Sequence, residues 1–325
     1  EMVKQQQQQQ QQEVGDEKAE EMAPLRTWTS ASSTFYSIDH HWKDDEFATA
    51  SDQAVEIWSP SRSAPLQRHV GIWGSTDTVQ VVRYNPAEPN ILGSCSADRG
   101  VGLWDLRSGT PLRKTILNMR SNALEWNPME PMHFIVANDD FQLYSFDMRN
   151  LSRPTKIYKG HTNAVMDVAW SPTGREFATA SYDRTTRIFG VNQGTSRDIY
   201  HAKRMQRVFT VQYTLDNKYI LTGSDDTNLR IWKARSSDHV GQLTRREESS
   251  RNYRQALVQK YQHLPEVRRI HRARRIPKVI TKDTKKAQIQ KEKATRKLDN
   301  RIKNSKEGTV ELKSERDAAV VKEID

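Results

Sequence analysis

The sequence predicts an all-β repeat fold followed by a basic α-helical extension, on three observations. The first is a recurring pair, an Asp followed six residues later by an aromatic ring. It occurs at Asp52 and Trp58, Asp98 and Trp104, Asp140 and Phe146, Asp183 and Phe189, and Asp226 and Trp232. Successive rings lie 46, 42, 43 and 43 residues apart. The second is shared turn chemistry: Asn85-Pro86, Asn127-Pro128 and Ser171-Pro172 recur at one place in three copies. Proline fits there because it presets φ and need not donate to a ladder. The third is charge, which is balanced over the repeats and strongly basic after them. A repeat of this length that closes on Trp marks a WD-repeat β-propeller. Five blades are visible, a number that propellers allow.

Residues 1–27 come first. Eight consecutive glutamines, Gln5 to Gln12, precede an acidic stretch from Glu13 to Glu21. Such low-complexity sequence is expected to be disordered, as an interaction tail or a tolerated loop insertion, with the insertion favoured. Residue 1 is Glu and only five blades follow. The sequence is therefore expected to begin downstream of the protein's own start.

Residues 28–234 carry the blades, and the fourth copy shows how one is built. Gly160-His161 opens it. Val165, Val168 and Trp170 read as an inner strand, and Ser171 to Gly174 supply a turn. Phe177 to Ala180 make a short buried strand, Tyr182-Asp183 turn the chain, and Arg187 to Phe189 form the next strand. The turn Asp accepts backbone N–H bonds and pins its hairpin. This assigns Asp52, Asp98, Asp140, Asp183 and Asp226, with Trp58, Trp104 and Trp232, to the structure of the blades. His161, Ser181 and Asp183 read as a hydrogen-bonded set inside a blade, because no Gly-x-Ser-x-Gly elbow accompanies them. Phe189 stands where the motif prefers Trp, so that relay is expected to be incomplete.

Residues 235–325 change character: strand patterning stops and helical patterning begins. Thr244 and Glu247 fit a capping box, and Tyr253, Leu257 and Tyr261 then recur on one helical face. Pro265 is placed to start a second helix and Pro277 to end it. A third is expected from about Asp283 to Ser305, with Gly308 beyond its end. Its few large apolar residues, Ile289, Leu298 and Ile302, cannot bury much, so it is expected on a partner or partly unfolded.

Of the 51 Lys and Arg, 25 lie in residues 235–325, against 13 Asp and Glu there. The rest of the chain is nearly neutral. From Arg251 to Lys306 there are 19 basic and 4 acidic residues. Arg268, Arg269, Arg272, Arg274, Arg275 and Lys278 form the densest run, and Lys285, Lys286, Arg301 and Lys303 extend it. Arg forks hold phosphate oxygens bidentately, so a polyanion is the expected partner. A solvated helix or a nuclear-import signal is the plainer reading of the same run. The segment has no aromatic ladder, which argues against specific single-strand reading there.

Other chemistry is not supported. Cys95 is the only cysteine and sits in a buried-strand pattern, so no disulfide can form within the chain. No 18-residue apolar run occurs, and no membrane partner is expected. No metal-ligand cluster, phosphate loop or acid pair is visible, so no enzyme activity, metal, cofactor or small-molecule substrate is expected.

Several stretches resemble one family. They include Asp39-His40-His41-Trp42-Lys43, Leu92-Gly93-Ser94-Cys95 with Asp98-Arg99, and Phe146-Asp147-Met148-Arg149. His201 to Gln206, Lys260 to His263 through Arg275 to Lys278, and Asn300 to Lys306 join them. The chain resembles the WD-repeat proteins with a C-terminal Sof domain, and the likeness covers nearly everything from about residue 35. The resemblance implies a seven-bladed propeller and a nucleolar scaffold of the small-subunit processome. Its implied partners are pre-rRNA, the U3 small nucleolar ribonucleoprotein and other processome proteins, and its role is in small-subunit rRNA maturation. The glutamine tract lies outside the family pattern.

A second function stays open. Trp104-Asp105-Leu106-Arg107 is a Trp-Asp-x-Arg box resembling the adaptor-binding motif of cullin-4 ligase substrate receptors, and Asp147 and Arg149 belong to a weaker copy. Against this, Arg107 and Arg149 follow a blade's last strand, and many WD proteins that bind no ligase have such residues.

Overall fold

The computed structural model describes residues 27–29, 34–52, 54–70, 78–108, 110–239, 241–272, 276–306, 309–310 and 313–324. The glutamine tract, Arg274, Arg275 and Gly308 lie outside the described residues. Blade 1 pairs β1 (Phe35–His40), β2 (Phe47–Ser51), β3 (Ala54–Trp58) and β4 (Gln67–Val70) in sequence order. Blade 2 pairs β5 (Val79–Tyr84), β6 (Ile91–Ser96), β7 (Gly100–Asp105) and β8 (Thr110–Leu117). Blade 3 has β9 (Ser121–Trp126), β10 (His133–Asn138), β11 (Leu143–Asp147) and β12 (Lys156–Tyr158). Blade 4 has β13 (Val165–Trp170), β14 (Glu176–Ser181), β15 (Thr186–Gly190) and β16 (Ser196–Tyr200). Among the described residues blade 5 has three strands, β17 (Val208–Tyr213), β18 (Tyr219–Ser224) and β19 (Leu229–Lys233). The predicted WD-repeat β-propeller architecture, five blades followed by basic helices, is what the chain adopts.

Burial follows from the repeat. One cluster joins blades 1 and 2 around Val55, Val82 and Trp104, and another joins blades 2 and 3 around Leu103, Leu124 and Phe134. Phe177, Phe189 and Ile135 fill the next junction, and Ile188, Val208 and Tyr213 fill the last. Each blade thus stacks on its neighbour as in other repeat proteins. Among the described residues no such cluster joins blade 5 to blade 1, and Phe35, Ile38, Leu229 and Ile231 are exposed on those two blades. Cys95 is buried in the second cluster as expected, and burial pushes its thiol up.

Polar ties between inner strands reinforce the stack. Asp39 Oδ2 accepts the Tyr84 N–H at 2.7 Å, and Asp167 Oδ2 accepts the Val211 N–H at 2.8 Å. Arg83 pairs with Glu125 at 3.3 Å. Burial pushes Glu125 up to about 7 and Asp167 up to about 6.

Among the described residues the C-terminal region forms four helices. Helix α1 (Arg245–Tyr261) starts with the predicted capping box. Helix α2 (Pro265–Arg272) starts on Pro265 as predicted. Helix α3 (Lys278–Lys303) begins five residues before the expected Asp283, because Pro277 is extended (φ −56°, ψ 147°) and releases a helix immediately after itself. The short α4 (Glu315–Ala319) is capped by Ser314.

Strand patterning does not stop at residue 235, which corrects the sequence reading. Val320–Ile324 form β20, an antiparallel fifth strand on the outer edge of blade 2. Val320 faces Leu117 and Ile324 faces Lys114 across the pair. Short β-branched segments become strands when an edge offers them a ladder, and β8 does so.

Candidate nucleic-acid and protein interface

Each blade turn places its Asp in the same position, and each blade answers the charge differently. In blades 2, 3 and 4 the carboxylate accepts the N–H two residues on, from Gly100, Gln142 and Thr185, at 2.8–3.0 Å. Asp52 also takes hydroxyls from Thr34 and Tyr36. Asp98 meets Lys114, whose strand partner is Gly102. Asp140 accepts the Tyr144 hydroxyl, and Asp226 pairs with Arg230, which holds its carboxyl well below the usual range.

Asp183 is the buried case. His161 Nδ1 lies 2.9 Å from Asp183 Oδ2, and Arg187 Nη2 lies 3.6 Å from the same oxygen. Burial alone would raise Asp183, but His161 and then Arg187 outweigh it and hold the carboxyl well below 3.8. Gly160, at φ +146°, makes room: a Cβ there would sit 2.8 Å from Arg187 Nη1.

The predicted hydroxyl of this set needs correcting. His161 Nε2 meets Thr179 Oγ1 at 2.7 Å, not Ser181. Ser181 instead donates to the Ala164 carbonyl at 2.8 Å. In blades 1, 2 and 5 the Trp Nε1–H donates to a Ser or Thr at the matching place: Trp58 to Thr49, Trp104 to Ser94, Trp232 to Thr222. Phe189 has no N–H to offer, so blade 4 lacks that bond and Thr179 meets only His161 from the side chains of this set.

The two Trp-Asp-x-Arg-like boxes share one geometry. Arg107 Nε and Nη2 fork onto Asp105 at 3.2 and 3.0 Å, and Arg149 forks onto Asp147 at 3.0 and 2.8 Å. Both guanidinium groups are about 70% exposed. Trp104, named with them as a contact residue, is instead only 7% exposed and belongs to the blade core. A partner would therefore meet Arg107 and Arg149. Arg113 links the second box to the C-terminal strand: its Nη1 donates to the Arg149 carbonyl at 2.8 Å and lies 3.9 Å from Glu323.

The basic residues are spread over two helices. Arg268 and Arg269 are exposed on α2, and Arg272 ends that helix. Lys278, Lys285, Lys286, Arg301 and Lys303 are exposed along α3. Tyr253, Leu257 and Tyr261 form their predicted stripe on α1, yet no residue of that helix is buried. On α3 the one buried side chain is Ile280, near the start. Farther along, Lys291 lies 3.4 Å from Glu315, which also pairs with Lys159 at the end of β12. The helix is thus tied to the propeller at two places. Sequence reading missed Ile280, Glu315 and β20; only the Val-Val-Lys-Glu-Ile pattern of β20 offered a signal.

Among the described residues no group of His, Cys, Asp or Glu could hold a metal ion, and no helix is long and apolar enough to cross a membrane.

Comparison with known proteins agrees with this anatomy. A family model described as Sof1-like domain matches residues 234–320, and one described as WD domain, G-beta repeat, matches 152–189 and 197–233. The chain is 48% identical to DDB1- and CUL4-associated factor 13 of Xenopus laevis, over 91% of this chain and 66% of that protein. The Homo sapiens protein of that name is 46% identical over 93% of this chain and 67% of its own length. Protein SOF1 of Saccharomyces cerevisiae is 42% identical over 82% of this chain and 54% of its own length. The chain spans about two thirds of the length of the first of these relatives. The WD40 β-propeller domain of Doa1 shares the fold, with a TM-score of 0.55 at 20% identity, covering 66% of this chain and 68% of that one. Blades, basic helices and relatives agree, and the chain belongs to the family of WD-repeat proteins that carry a Sof1-like domain.

Proposed function

We propose that this chain is a non-catalytic scaffold of the nucleolar small-subunit processome, acting in pre-rRNA processing and small-subunit maturation. The blades dock proteins, including other processome components. The α2–α3 arm contacts pre-rRNA and the U3 small nucleolar ribonucleoprotein. The observation that carries this reading is the exposed cationic row on an arm tied to the propeller at Ile280 and Glu315. A fixed row of cations meets a phosphate backbone with less ordering cost than a free tail. The name of the yeast relative and the Sof1-like match support the same assignment.

Charge reversal tests it more cleanly than deletion, because removing residues 244–325 would also strip β20 from blade 2. Arg268→Glu, Arg269→Glu, Lys285→Glu and Arg301→Glu together are expected to weaken RNA binding about tenfold or more at physiological salt. They should flatten the log–log salt slope by about three, at roughly 0.7 for each phosphate no longer neutralised. RNA crosslinking in cells at the wild-type yield would remove the RNA-contact claim.

The twin Asp–Arg forks favour a second reading, a substrate receptor of a cullin-4 ubiquitin ligase, and the name of the vertebrate relatives agrees with it. Under it, Arg107→Ala with Arg149→Ala lowers recovery of the ligase adaptor by about tenfold or more, the scale of losing one or two charge-assisted bonds. Unchanged recovery removes this reading and leaves the scaffold.

A further inference from the structure

A cleft of about 810 Å³ lies between α3 and the turns of blades 3, 4 and 5. Its roof is one helical face, Ile280, Asp283, Ala287 and Gln290 at i, i+3, i+7 and i+10. Four cations converge on it from three elements: Arg184 from a blade turn, Lys203 and Arg207 from the segment between blades 4 and 5, and Lys286 from α3. Among the described residues none of the four forms an ion pair. Arg207 lies over the Tyr182 ring at 5.3 Å. Asp225 and Asp283 offset part of this charge, while the third carboxylate, Asp183, is already paired with Arg187 and hydrogen-bonded by His161.

The rim adds an observation of another kind. Phe141 lines the cleft, is 44% exposed, and sits at φ +70°. The turn imposes that left-handed conformation, since Arg99, Arg184 and Thr227 adopt it at the matching positions. A bulky ring is poorly suited to such a position, and nearly half of this one stays exposed. Amides from Asn163, Gln206 and Gln290 complete the lining with paired donors and acceptors.

We infer that this cleft binds a short segment of single-stranded RNA, its phosphates on Arg184, Lys203 and Lys286 and one base stacked on Phe141. The inference rests on the reading of the chain as an RNA-contacting scaffold and adds a site that the basic arm alone does not contain. Cations in a groove beside an aromatic platform are what single strands require. An acidic peptide would use the cations and leave the exposed ring unexplained.

The test uses the full chain and two fluorescent probes, a mixed-sequence single-stranded oligoribonucleotide and an abasic strand with the same phosphates. Phe141→Gly removes the ring and relieves the left-handed turn, so its melting temperature should equal or exceed that of the wild type. It should weaken the oligoribonucleotide by roughly 5- to 150-fold and leave the abasic strand unchanged. Arg184→Gln with Lys203→Gln and Lys286→Gln should weaken both probes and flatten the salt slope by about two. Wild-type binding of both probes by both variants overturns the cleft, and if arm charge reversal still abolishes binding, the scaffold reading survives. Failure of the wild type to bind either probe overturns both. Binding of a polyglutamate peptide that depends on the three cations, with no RNA bound, reassigns the cleft to an acidic partner.

Discussion

Asp183→Asn is expected to cost on the order of 3–5 kcal/mol at neutral pH, as removal of one partner from a buried ion pair does. The isosteric amide can still accept from His161, so packing and one hydrogen bond survive. What it cannot do is balance Arg187, whose side chain is 3% exposed. The matching Asp226→Asn in blade 5 should cost far less, because the Asp226–Arg230 pair is nearer solvent and water screens the charge left behind. Denaturant titration of both variants checks the contrast. Equal losses would show that the turn, and not the buried charge, sets the effect.

The same group predicts a pH dependence. His161 is pushed below its ordinary 6.5 by burial, so an unfolded chain takes up a proton that the folded chain refuses. Stability therefore falls as pH drops through about 6.5. Asp183 is held below 3.8, so its contribution is present above that value and is lost as the unfolded carboxyl protonates beneath it. Both slopes have one sign, and the protein weakens on acidification. The gap between wild type and Asp183→Asn should be widest above pH 3.8 and narrow below it.

The blades were legible because local geometry repeats. A four-stranded blade needs its turn and its closing ring at fixed intervals, so Asp and aromatic residues recur whatever else changes. The Asp105–Arg107 and Asp147–Arg149 forks were legible for the same reason, being contacts two residues apart. Spacing could not tell Thr179 from Ser181, which share a face of β14 two residues apart. Only the reach of His161 separates them. The cleft was beyond sequence altogether: Phe141, Arg184, Lys203 and Lys286 lie on separate elements with no common period. The C-terminal strand failed for a related reason. Five residues rich in valine suffice only where β8 waits for them, and the pairing joins segments far apart in sequence.

That pairing makes β20 a latch, and truncation after Lys313 is expected to open it. Three things would go together. The β8 edge would lose its partner strand from Lys114 to Leu117, and an edge left bare along its whole length invites association between molecules. Ala319 would leave the core between blades 2 and 3. Glu315 would no longer bridge Lys159 and Lys291, so the far half of α3 would be tied only through Ile280 at its start. Exposed ion pairs contribute little, and a segment held by five strand residues belongs to the low end of local stability. The propeller should therefore keep a cooperative melt, while tryptic cleavage within α3 should accelerate about tenfold or more. Tenfold corresponds to about 1.4 kcal/mol of lost closure when opening is fast relative to cleavage. Glu315→Lys should give a smaller increase without exposing β8, which separates the ionic tie from the strand. An α3 cleaved no faster in either variant would mean that Ile280 alone holds the arm. Its cations would then owe their placement to the first turn of α3 rather than to the latch.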